Sequence, residues 1–350
     1  MNSTIVDIAK KAGVSTATVS RVINNYPFVK ESTRKKVLKV IDELNYYPDL
    51  IARSMVKGRT YNIGLIVGGL GNPFFAETAE VIVKTAERYN CHVTLCVTEE
   101  KPWKMAEYID LLITKRVDGV IIGSVFKDDP ISRLRDSKIP YVLYNRRNGH
   151  EDADYIVQDN VKGSFEAVKH LIQLGHTRVG ILHGPLAFDT VEGRVAGYRQ
   201  ALDAFKLKTF DHFVHEIDFS EPENKVQQAM DKMFGGKIKP TAIFTTADFL
   251  ALDAMEYLLN KNYRVPEDVA LASFDNLRLS GHSLISLTTV GQRAEEMARL
   301  AVERLMQKIE NKLNGNESEA ISPWKITLQP ELVIRRSCGS HLKSYQNYQL

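Results

Sequence analysis

Residues 5–24 read IVDIAKKAGVSTATVSRVIN, and this stretch decides the fold of the N-terminal part of the chain. Its first apolar residues recur at helical spacing, at Ile5, Ile8, Ala9 and Ala12. Thr4 can cap this helix. Gly13 interrupts the pattern, and a second helix begins at Ser15. Its apolar positions are Val19, Val22 and Ile23. Two short helices separated by a glycine turn predict a helix-turn-helix.

The outer face of the second predicted helix is small or hydrogen-bonding. It comprises Thr16, Ala17, Ser20, Arg21 and Asn24. Such a face can enter the major groove of DNA, where arginine pairs bidentately with guanine. A third amphipathic stretch, residues 32–44, is predicted to close a three-helix core with Val37, Leu38, Ile41 and Leu44. The pattern alone fits a small three-helix domain with a polar surface equally well.

The stretch at residues 5–24 closely resembles the DNA-reading headpiece of the lactose/galactose repressor family (LacI/GalR). Thr33-Arg34, Leu44-Asn45-Tyr46 and Pro48 follow the same pattern, and the resemblance continues to about residue 338. It implies that residues 1–47 form an all-α helix-turn-helix headpiece that binds double-stranded operator DNA. By this resemblance Thr16, Ala17 and Arg21 face bases, and Thr18 is a further contact. The residues expected to hold mostly phosphates are Ser15, Ser20, Asn24 and Tyr46. Ala17 departs toward a smaller side chain, which leaves apolar contact in place of hydrogen bonding.

Residues 48–60 form either a plain linker or a short conditional helix. Pro48 and Asp49 are start signals and Gly58 is a stop signal. The intervening segment is too short for a stable helix in water, so a helix here needs a surface that orders it. The resemblance implies that this hinge folds on the minor groove. The DNA contacts it implies are Ala52, Arg53 and Met55. Met55 stands where a leucine is usual, and it can still act as an apolar wedge.

Charge is distributed unevenly along the chain. Residues 1–60 hold eleven Lys or Arg against five Asp or Glu, a net charge of +6, whereas residues 61–350 sum to −3. A basic head suits a polyanion, because each neutralised phosphate releases condensed counterions. A solvated basic face is the plainer explanation of such an excess. The length of 350 residues indicates two or three packed units, and 44% hydrophobic with 25% charged residues is typical of globular proteins.

The sequence predicts a cytoplasmic protein that does not enter a membrane. No run of about 18 apolar residues occurs, and the chain opens on the polar residues Met1-Asn2-Ser3-Thr4 rather than on a signal peptide. The three cysteines, Cys91, Cys96 and Cys338, contain no CxxC pair. We therefore expect reduced thiols.

Beyond the hinge, β-rich runs alternate with amphipathic helices. The strands of the first series are expected at 62–67, 92–97, 119–122 and 141–144, and those of the second near 178–182, 242–245 and 269–273. Such alternation predicts an α/β domain of two lobes, each a doubly wound parallel sheet, with a cleft at the carboxyl ends of the strands.

The resemblance adds that this two-lobed domain, residues 61–338, is periplasmic-binding-protein-like. It implies that the chain crosses between the lobes near residues 159, 291 and 322. Lobe 1 would then comprise about 61–159 with 292–322, and lobe 2 about 160–291 with 323–338. Residues 339–350 form a C-terminal tail, which has no leucine heptad. We therefore expect a homodimer rather than a tetramer.

Several polar and aromatic residues fall at or just after predicted strand ends, where a small-molecule effector would bind. We expect effector contacts from Phe74, Phe75, Asn145, Asp159, Arg194, Phe219, Asp248 and Asp275. Sugar hydroxyls come in adjacent pairs that a carboxylate or guanidinium can hold, while aromatic faces cover the ring. A polar residue after a strand is also a common helix cap, and Asp248 fits both roles. Arg194 and Asp275 fall on the effector positions that the resemblance implies, whereas Ala247 stands where some sugar-responsive relatives have asparagine.

The sequence predicts neither catalysis nor a cofactor. Gly69-Leu70-Gly71-Asn72-Pro73-Phe74 superficially matches a dinucleotide turn, but Phe74 occupies the third glycine position. No P-loop or GxSxG is present, and His212 with His215 lacks a third metal ligand. We therefore expect a dimeric repressor on a pseudopalindromic operator, controlled by a sugar or a sugar derivative. The alternatives are a solute-binding receptor of a sugar transporter, and an architectural DNA-binding protein without ligand control.

Overall fold

The computed structural model of the protein describes residues 4–24, 26–44, 58–126, 131–149, 153–219, 222–315 and 322–342. The chain divides into two units, Met1–Thr60 and Tyr61–Leu350.

The described part of the first unit is a three-helix domain. Its helices are α1 (Ile5–Ala12), α2 (Thr16–Ile23) and α3 (Glu31–Glu43). Thr4 and Asp7 form a capping box at the start of α1, and Gly13 ends this helix with φ 63°, a left-handed conformation that glycine adopts without strain. The buried core consists of Ile8, Ala9, Ala12, Val19, Val22, Val37 and Val40.

One predicted core position of α3 is wrong. Leu38 is 48% exposed, whereas Val37 and Val40 are buried and Ile41 and Leu44 pack against them. The inward side of α3 therefore follows the spacing i, i+3, i+4 and i+7 from Val37. Leu38 lies about 100° around the helix from Val37, on the solvent side.

The second unit contains two sheets with the same strand order. The strands of the first sheet are β1 (Asn62–Val67), β2 (His92–Val97), β3 (Gly119–Ile122), β4 (Tyr141–Tyr144), β5 (Tyr155–Gln158) and β11 (Lys325–Leu328). Those of the second are β6 (Val179–His183), β7 (Val214–Glu216), β8 (Ala242–Thr245), β9 (Ala270–Asp275), β10 (Thr288–Gly291) and β12 (Glu331–Val333). Among the described residues each sheet has six strands, in the orders β2-β1-β3-β4-β5-β11 and β7-β6-β8-β9-β10-β12.

These strand orders confirm two doubly wound α/β lobes. All described pairings are parallel except β10 with β12, which is antiparallel. In such sheets ligands bind outside the carboxyl ends of the strands, at the point where the strand order reverses. Because the two sheets have the same strand order, the carboxyl ends of equivalent strands in the two lobes face one cleft.

Helices cover both sheets. They are α4 (Pro73–Glu87), α5 (Pro102–Thr114), α6 (Ser132–Asp136), α7 (Asn160–Gln173), α8 (Asp189–Ala204), α9 (Pro222–Gly235), α10 (Asp248–Asn260) and α11 (Ala294–Leu313). In lobe 1, α4 packs on α11, and in lobe 2, α7 packs on α8 and α9 on α10. None of the described helices combines the length and the apolar composition that a membrane crossing requires.

Within the described residues the chain passes between the sheets after β5, after β10 and after β11. The first two crossings lie where the resemblance placed them, near residues 159 and 291. The expected crossing near 322 is wrong. β11 pairs in parallel with β5 in the first sheet, with Lys325 opposite Tyr155, and the chain enters the second sheet only at β12. Lobe 1 therefore extends to residue 328.

Candidate functional site

The exposed side of α2 carries the predicted DNA contacts that the structure describes. Exposed residues are Ser15, Thr16, Ala17, Arg21 and Asn24, while Thr18 and Ser20 are half-buried. We refer to these seven residues as the recognition face. The opposite side of α2 contributes Val19 and Val22 to the core. The amphipathic pattern of this one helix thus separates packing from the surface.

Local hydrogen bonds hold the ends of α2. Ser15 Oγ accepts a hydrogen bond from the Thr18 backbone N–H (3.2 Å) and lies 2.9 Å from Thr18 Oγ1. At the other end, Asn24 Nδ2 donates to the Ser20 carbonyl oxygen (2.9 Å). Arg21 lies 5.9 Å from the centre of the Tyr26 ring. The recognition face is therefore supported by its own polar side chains.

The recognition face contains no carboxylate, and nearby acidic residues have partners of their own. The Asp7 carboxylate accepts hydrogen bonds from the Thr4 hydroxyl (2.7 Å) and backbone N–H (2.8 Å), and these bonds lower the pKa of Asp7. Glu43 pairs with Lys11 at 2.9 Å, and this contact lowers the pKa of Glu43. Both side chains therefore remain anionic at neutral pH, each with a partner inside the three-helix domain.

The remaining predicted DNA contacts, Tyr46, Ala52, Arg53 and Met55, lie outside the described residues.

Six of the eight predicted effector contacts meet in one cavity between the two lobes. These are Phe74, Phe75, Asn145, Arg194, Phe219 and Asp275. The cavity is also lined by Asn72, Arg146, Thr190, Val191, Thr246, Ala247, Phe249 and Gln292. We refer to it as the interlobe cavity. Its volume is about 30 Å³. Typical ligand pockets are much larger, with volumes of about 300–1,000 Å³. The two lobes are therefore closed on one another.

The centre of the interlobe cavity is a buried ion pair. Arg194 Nη1 donates to Asp275 Oδ1 (3.0 Å) and to the Thr246 carbonyl oxygen (2.5 Å), and Nε donates to Asn160 Oδ1 (2.9 Å). The guanidinium also lies 3.9 Å from the centre of the Phe274 ring. Burial raises the pKa of Asp275 to about 7, although the positive charge of Arg194 opposes this shift. The pair therefore offers a fixed guanidinium beside a carboxyl that titrates near neutral pH.

Asp159 and Asp248 do not line the interlobe cavity. Asp159 Oδ1 accepts a hydrogen bond from the Lys162 backbone N–H (3.0 Å) at the start of α7. Asp248 is fully buried, and burial raises its pKa. Its carboxylate accepts hydrogen bonds from the Leu277 backbone N–H, the Ser280 hydroxyl and the Thr289 hydroxyl at 2.6–2.9 Å. Both carboxylates are thus used within the fold. Asp159 caps α7, as the capping alternative expects, whereas Asp248 is the first residue of α10 and binds groups outside that helix.

Further contacts bridge the closed lobes. Arg147 of lobe 1 lies 3.6 Å from Asp189 at the start of α8. Glu77 Oε1 accepts a hydrogen bond from the Arg278 backbone N–H (3.1 Å). Leu277, from the loop after β9, packs into the core of lobe 1. A change in lobe closure must break or form these contacts.

The sequence analysis missed three polar residues of the interlobe cavity that lie within two residues after the end of a strand. They are Arg146, Thr246 and Gln292. Thr246 follows β8 and Gln292 follows β10. The strand-end rule applied to Asn145 and Asp275 would also have found them, had it been extended to every strand of both sheets.

Two family descriptions match the chain. Residues 4–49 match "Bacterial regulatory proteins, lacI family". Residues 60–331 match "Periplasmic binding proteins and sugar binding domain of LacI family".

Similar proteins extend over the whole chain. The HTH-type transcriptional repressor PurR of Pasteurella multocida is 35% identical over 342 residues, which covers 97% of this chain and 100% of that protein. PurR of Aliivibrio salmonicida is 33% identical and covers 96% and 98%. Among solved structures, the lac repressor dimer bound to operator and the anti-inducer ONPF has a TM-score of 0.83 at 26% identity, covering 97% and 99%. The transcriptional regulator CelR–cellobiose complex has a TM-score of 0.70 at 28% identity, covering 96% and 100%. The chain therefore belongs to the LacI family of bacterial regulatory proteins.

Proposed function

We propose that the protein is a sequence-specific DNA-binding repressor whose affinity for its operator is set by a sugar or sugar derivative bound in the interlobe cavity. One observation carries the proposal. The same chain presents an exposed helix face without carboxylates and a closed interlobe cavity built around a buried Arg–Asp pair. The first feature suits a polyanion, and the second suits a small polar ligand.

In this proposal α2 lies in the major groove. Arg21 pairs with a base edge, and Thr16 and Ala17 contact neighbouring bases. Ser15, Thr18, Ser20 and Asn24 set the register against phosphates. Ser15 and Asn24 also stabilise the ends of α2, so their replacement would affect both the helix and the contact. Tyr46 and the hinge residues Ala52, Arg53 and Met55 complete the proposed interface.

The proposed effector binds between lobes that first open. Because the interlobe cavity is small, a sugar can enter only when bridging contacts such as Arg147 with Asp189 separate. The ligand's hydroxyl groups then accept hydrogen bonds from Arg194 and donate to Asp275, and Asn145 can do both, while aromatic rings such as Phe219 cover the apolar faces of the ligand. A ligand shifts the protein toward whichever lobe arrangement it binds better. A coupling of about 1–3 kcal/mol between cavity and headpiece changes operator affinity about 5- to 150-fold.

We propose that two copies of the chain form a homodimer on a pseudopalindromic operator. Two identical headpieces read two half-sites, so the symmetry of the protein is matched by that of the DNA. A related protein, the lac repressor, is described as a dimer bound to operator. The chain would then act in the cytoplasm as a regulator without catalytic activity. Residues 4–49 match the lacI family of bacterial regulatory proteins. A solute receptor of a transporter does not require such a DNA-binding segment, so this match favours the repressor over the receptor.

The test is a selection of binding sites from random duplexes with the full-length protein. We expect a pseudopalindromic consensus whose half-sites lie about 10 base pairs, or a multiple of this, apart. A thermal-shift screen across neutral sugars, sugar phosphates and purines then supplies ligands whose effect on operator affinity is measured by fluorescence anisotropy. Enrichment of no sequence would contradict DNA reading. Operator affinity that no bound ligand changes would contradict control by an effector.

A further inference from the structure

A second buried arginine lies in the interlobe cavity beside the Arg194–Asp275 pair. Arg146 follows Asn145 after β4, and its side chain is 4% exposed. Its guanidinium lies 3.6 Å from the centre of the Phe188 ring of lobe 2 and 5.6 Å from that of Phe75 of lobe 1. An arginine placed between two aromatic rings, with its charge at a ligand cavity, is by itself suited to bind an anion.

The protein neutralises this arginine with a carboxylate of its own. Arg146 Nη1 donates to Glu100 Oε2 (2.8 Å) and Nη2 donates to Glu100 Oε1 (3.0 Å), a bidentate pair. Ser124 Oγ donates to Glu100 Oε2 (2.7 Å), which fixes the carboxylate further. Glycine at position 68 makes room for this arrangement, because a Cβ there would lie 2.1 Å from Glu100 Oε1. Glu100 itself does not line the interlobe cavity.

The second guanidinium of the cavity also has a carboxyl partner, because Arg194 Nη1 donates to Asp275 Oδ1. Each guanidinium at the cavity therefore already has a carboxyl partner within the protein, Glu100 for Arg146 and Asp275 for Arg194. A phosphate or carboxylate that entered would have to compete with a fixed carboxylate for each guanidinium, and it would lose its hydration in doing so.

Two residues that line the interlobe cavity each have one buried polar atom without a hydrogen-bond partner among the described residues. Within the described part of the chain, Arg146 Nε is a buried donor without an acceptor, and Gln292 Oε1 is a buried acceptor without a donor. Both residues line the interlobe cavity. A hydroxyl group both donates and accepts, so one polyhydroxylated ligand can satisfy both atoms. An anion would satisfy Arg146 and leave Gln292 Oε1 facing a negative charge.

We propose that Glu100 makes the interlobe cavity selective for uncharged, hydroxyl-bearing effectors and excludes phosphorylated or carboxylated ones. Glu100 is a positioning residue: its two oxygens accept hydrogen bonds from Nη1 and Nη2 of Arg146, while Arg146 Nε has no acceptor among the described residues and can donate to the ligand. The inference rests on the proposed function in that the cavity is taken to be the effector site. It narrows the effector to neutral sugars and related polyols.

Inorganic phosphate is the probe that tests the role of Glu100. Glu100→Gln removes the counter-charge and leaves Arg146 a buried cation. We expect the full-length E100Q variant to bind phosphate about tenfold or more tightly than the wild type, measured by isothermal titration calorimetry. The double variant E100Q/R146Q should lose this gain, and because it has no unpaired buried charge it should remain folded. Glu99→Gln is the matched control, since Glu99 is exposed and pairs with Lys101 and Lys104 at 2.5–2.7 Å instead.

Two results would overturn the proposal. One is phosphate binding by the wild type that equals that of E100Q and is removed by R146Q. The other is a folded E100Q, shown by its thermal unfolding, that gains no phosphate affinity. Operator binding is measured on the same preparations. A wild type that binds no specific duplex contradicts the proposed function, whatever the phosphate titrations show, so the two failures are distinguishable.

Discussion

Replacing Arg194 with alanine tests the buried ion pair at the centre of the interlobe cavity. The change removes three hydrogen bonds, to Asp275, the Thr246 carbonyl oxygen and Asn160 Oδ1. It also removes the stacking on Phe274. Breaking one partner of a buried pair costs about 3–5 kcal/mol, because the other charge is left uncompensated. Asp275 limits the cost, since its pKa of about 7 lets it take up a proton instead.

We therefore expect Arg194→Ala to lower the free energy of unfolding by about 3 kcal/mol, the lower end of that range, measured by urea denaturation with circular dichroism. Below its unfolding transition the variant should still bind the selected operator, but no sugar should change that affinity. Arg199→Ala is the control, because Arg199 lies exposed on the same helix. A variant as stable as R199A would refute the ion-pair reasoning. A retained ligand response would refute the assignment of Arg194 to the effector.

Four further changes have defined outcomes. Burial raises the pKa of Asp275 from 3.8 to about 7, so between these pH values the native state keeps a proton that the unfolded state has released. The free energy of unfolding should therefore fall as the pH rises through this window. Asp275→Asn should remove this part of the pH dependence of stability, and an unchanged pH dependence would argue against the pKa shift. Thr4→Ala removes the cap of α1 and should cost about 0.5–2 kcal/mol, seen as faster hydrogen exchange in α1 and disproved by unchanged exchange. Gly184→Ala would place a Cβ 2.1 Å from the Phe219 ring, so urea denaturation should show a loss of about 1–3 kcal/mol; full stability would mean that the ring moves freely. Met55→Ala should weaken operator binding and leave effector binding intact, and equal operator affinity would count against the hinge wedge.

The headpiece could be predicted almost completely from the sequence because its signals are local. The cap at Thr4, the glycine at 13 and the helix start at Ser15 are each signalled within one helical turn. The structure places Thr4 and Gly13 as expected, and Ser15 is the cap immediately before α2. Leu38 was misplaced because α3 offers adjacent apolar residues, and spacing alone does not say which of them faces the core. Contacts with α1 and α2 decide this.

The third crossing between the lobes could not be read from local patterns. Lys325–Leu328 is a short strand whose residues would suit the edge of either sheet. Its place is decided by pairing with β5, about 170 residues earlier in the chain. The sequence analysis did not predict this strand, and a local pattern contains no information on which distant sheet edge a strand joins.

The residues around the cleft also divide into those that the sequence could predict and those that it could not. Of the polar residues expected at the cleft, Asn145, Arg194 and Asp275 line the interlobe cavity, and Asp159 and Asp248 do not. Whether each serves a ligand or the fold depends on neighbours that are distant in sequence. The Asp248 carboxylate accepts hydrogen bonds from groups at residues 277–289, and Arg146 forms an ion pair with Glu100.

The most direct test of DNA reading by α2 is the affinity of the full-length protein for its selected operator with and without Arg21→Ala. Fluorescence anisotropy should show a loss of about 1–3 kcal/mol for the operator and little change for a scrambled duplex. Lys39→Ala, which removes one positive charge from the exposed side of α3, should weaken both duplexes slightly and equally. If R21A bound the operator as tightly as K39A does, α2 would not be the element that reads the DNA.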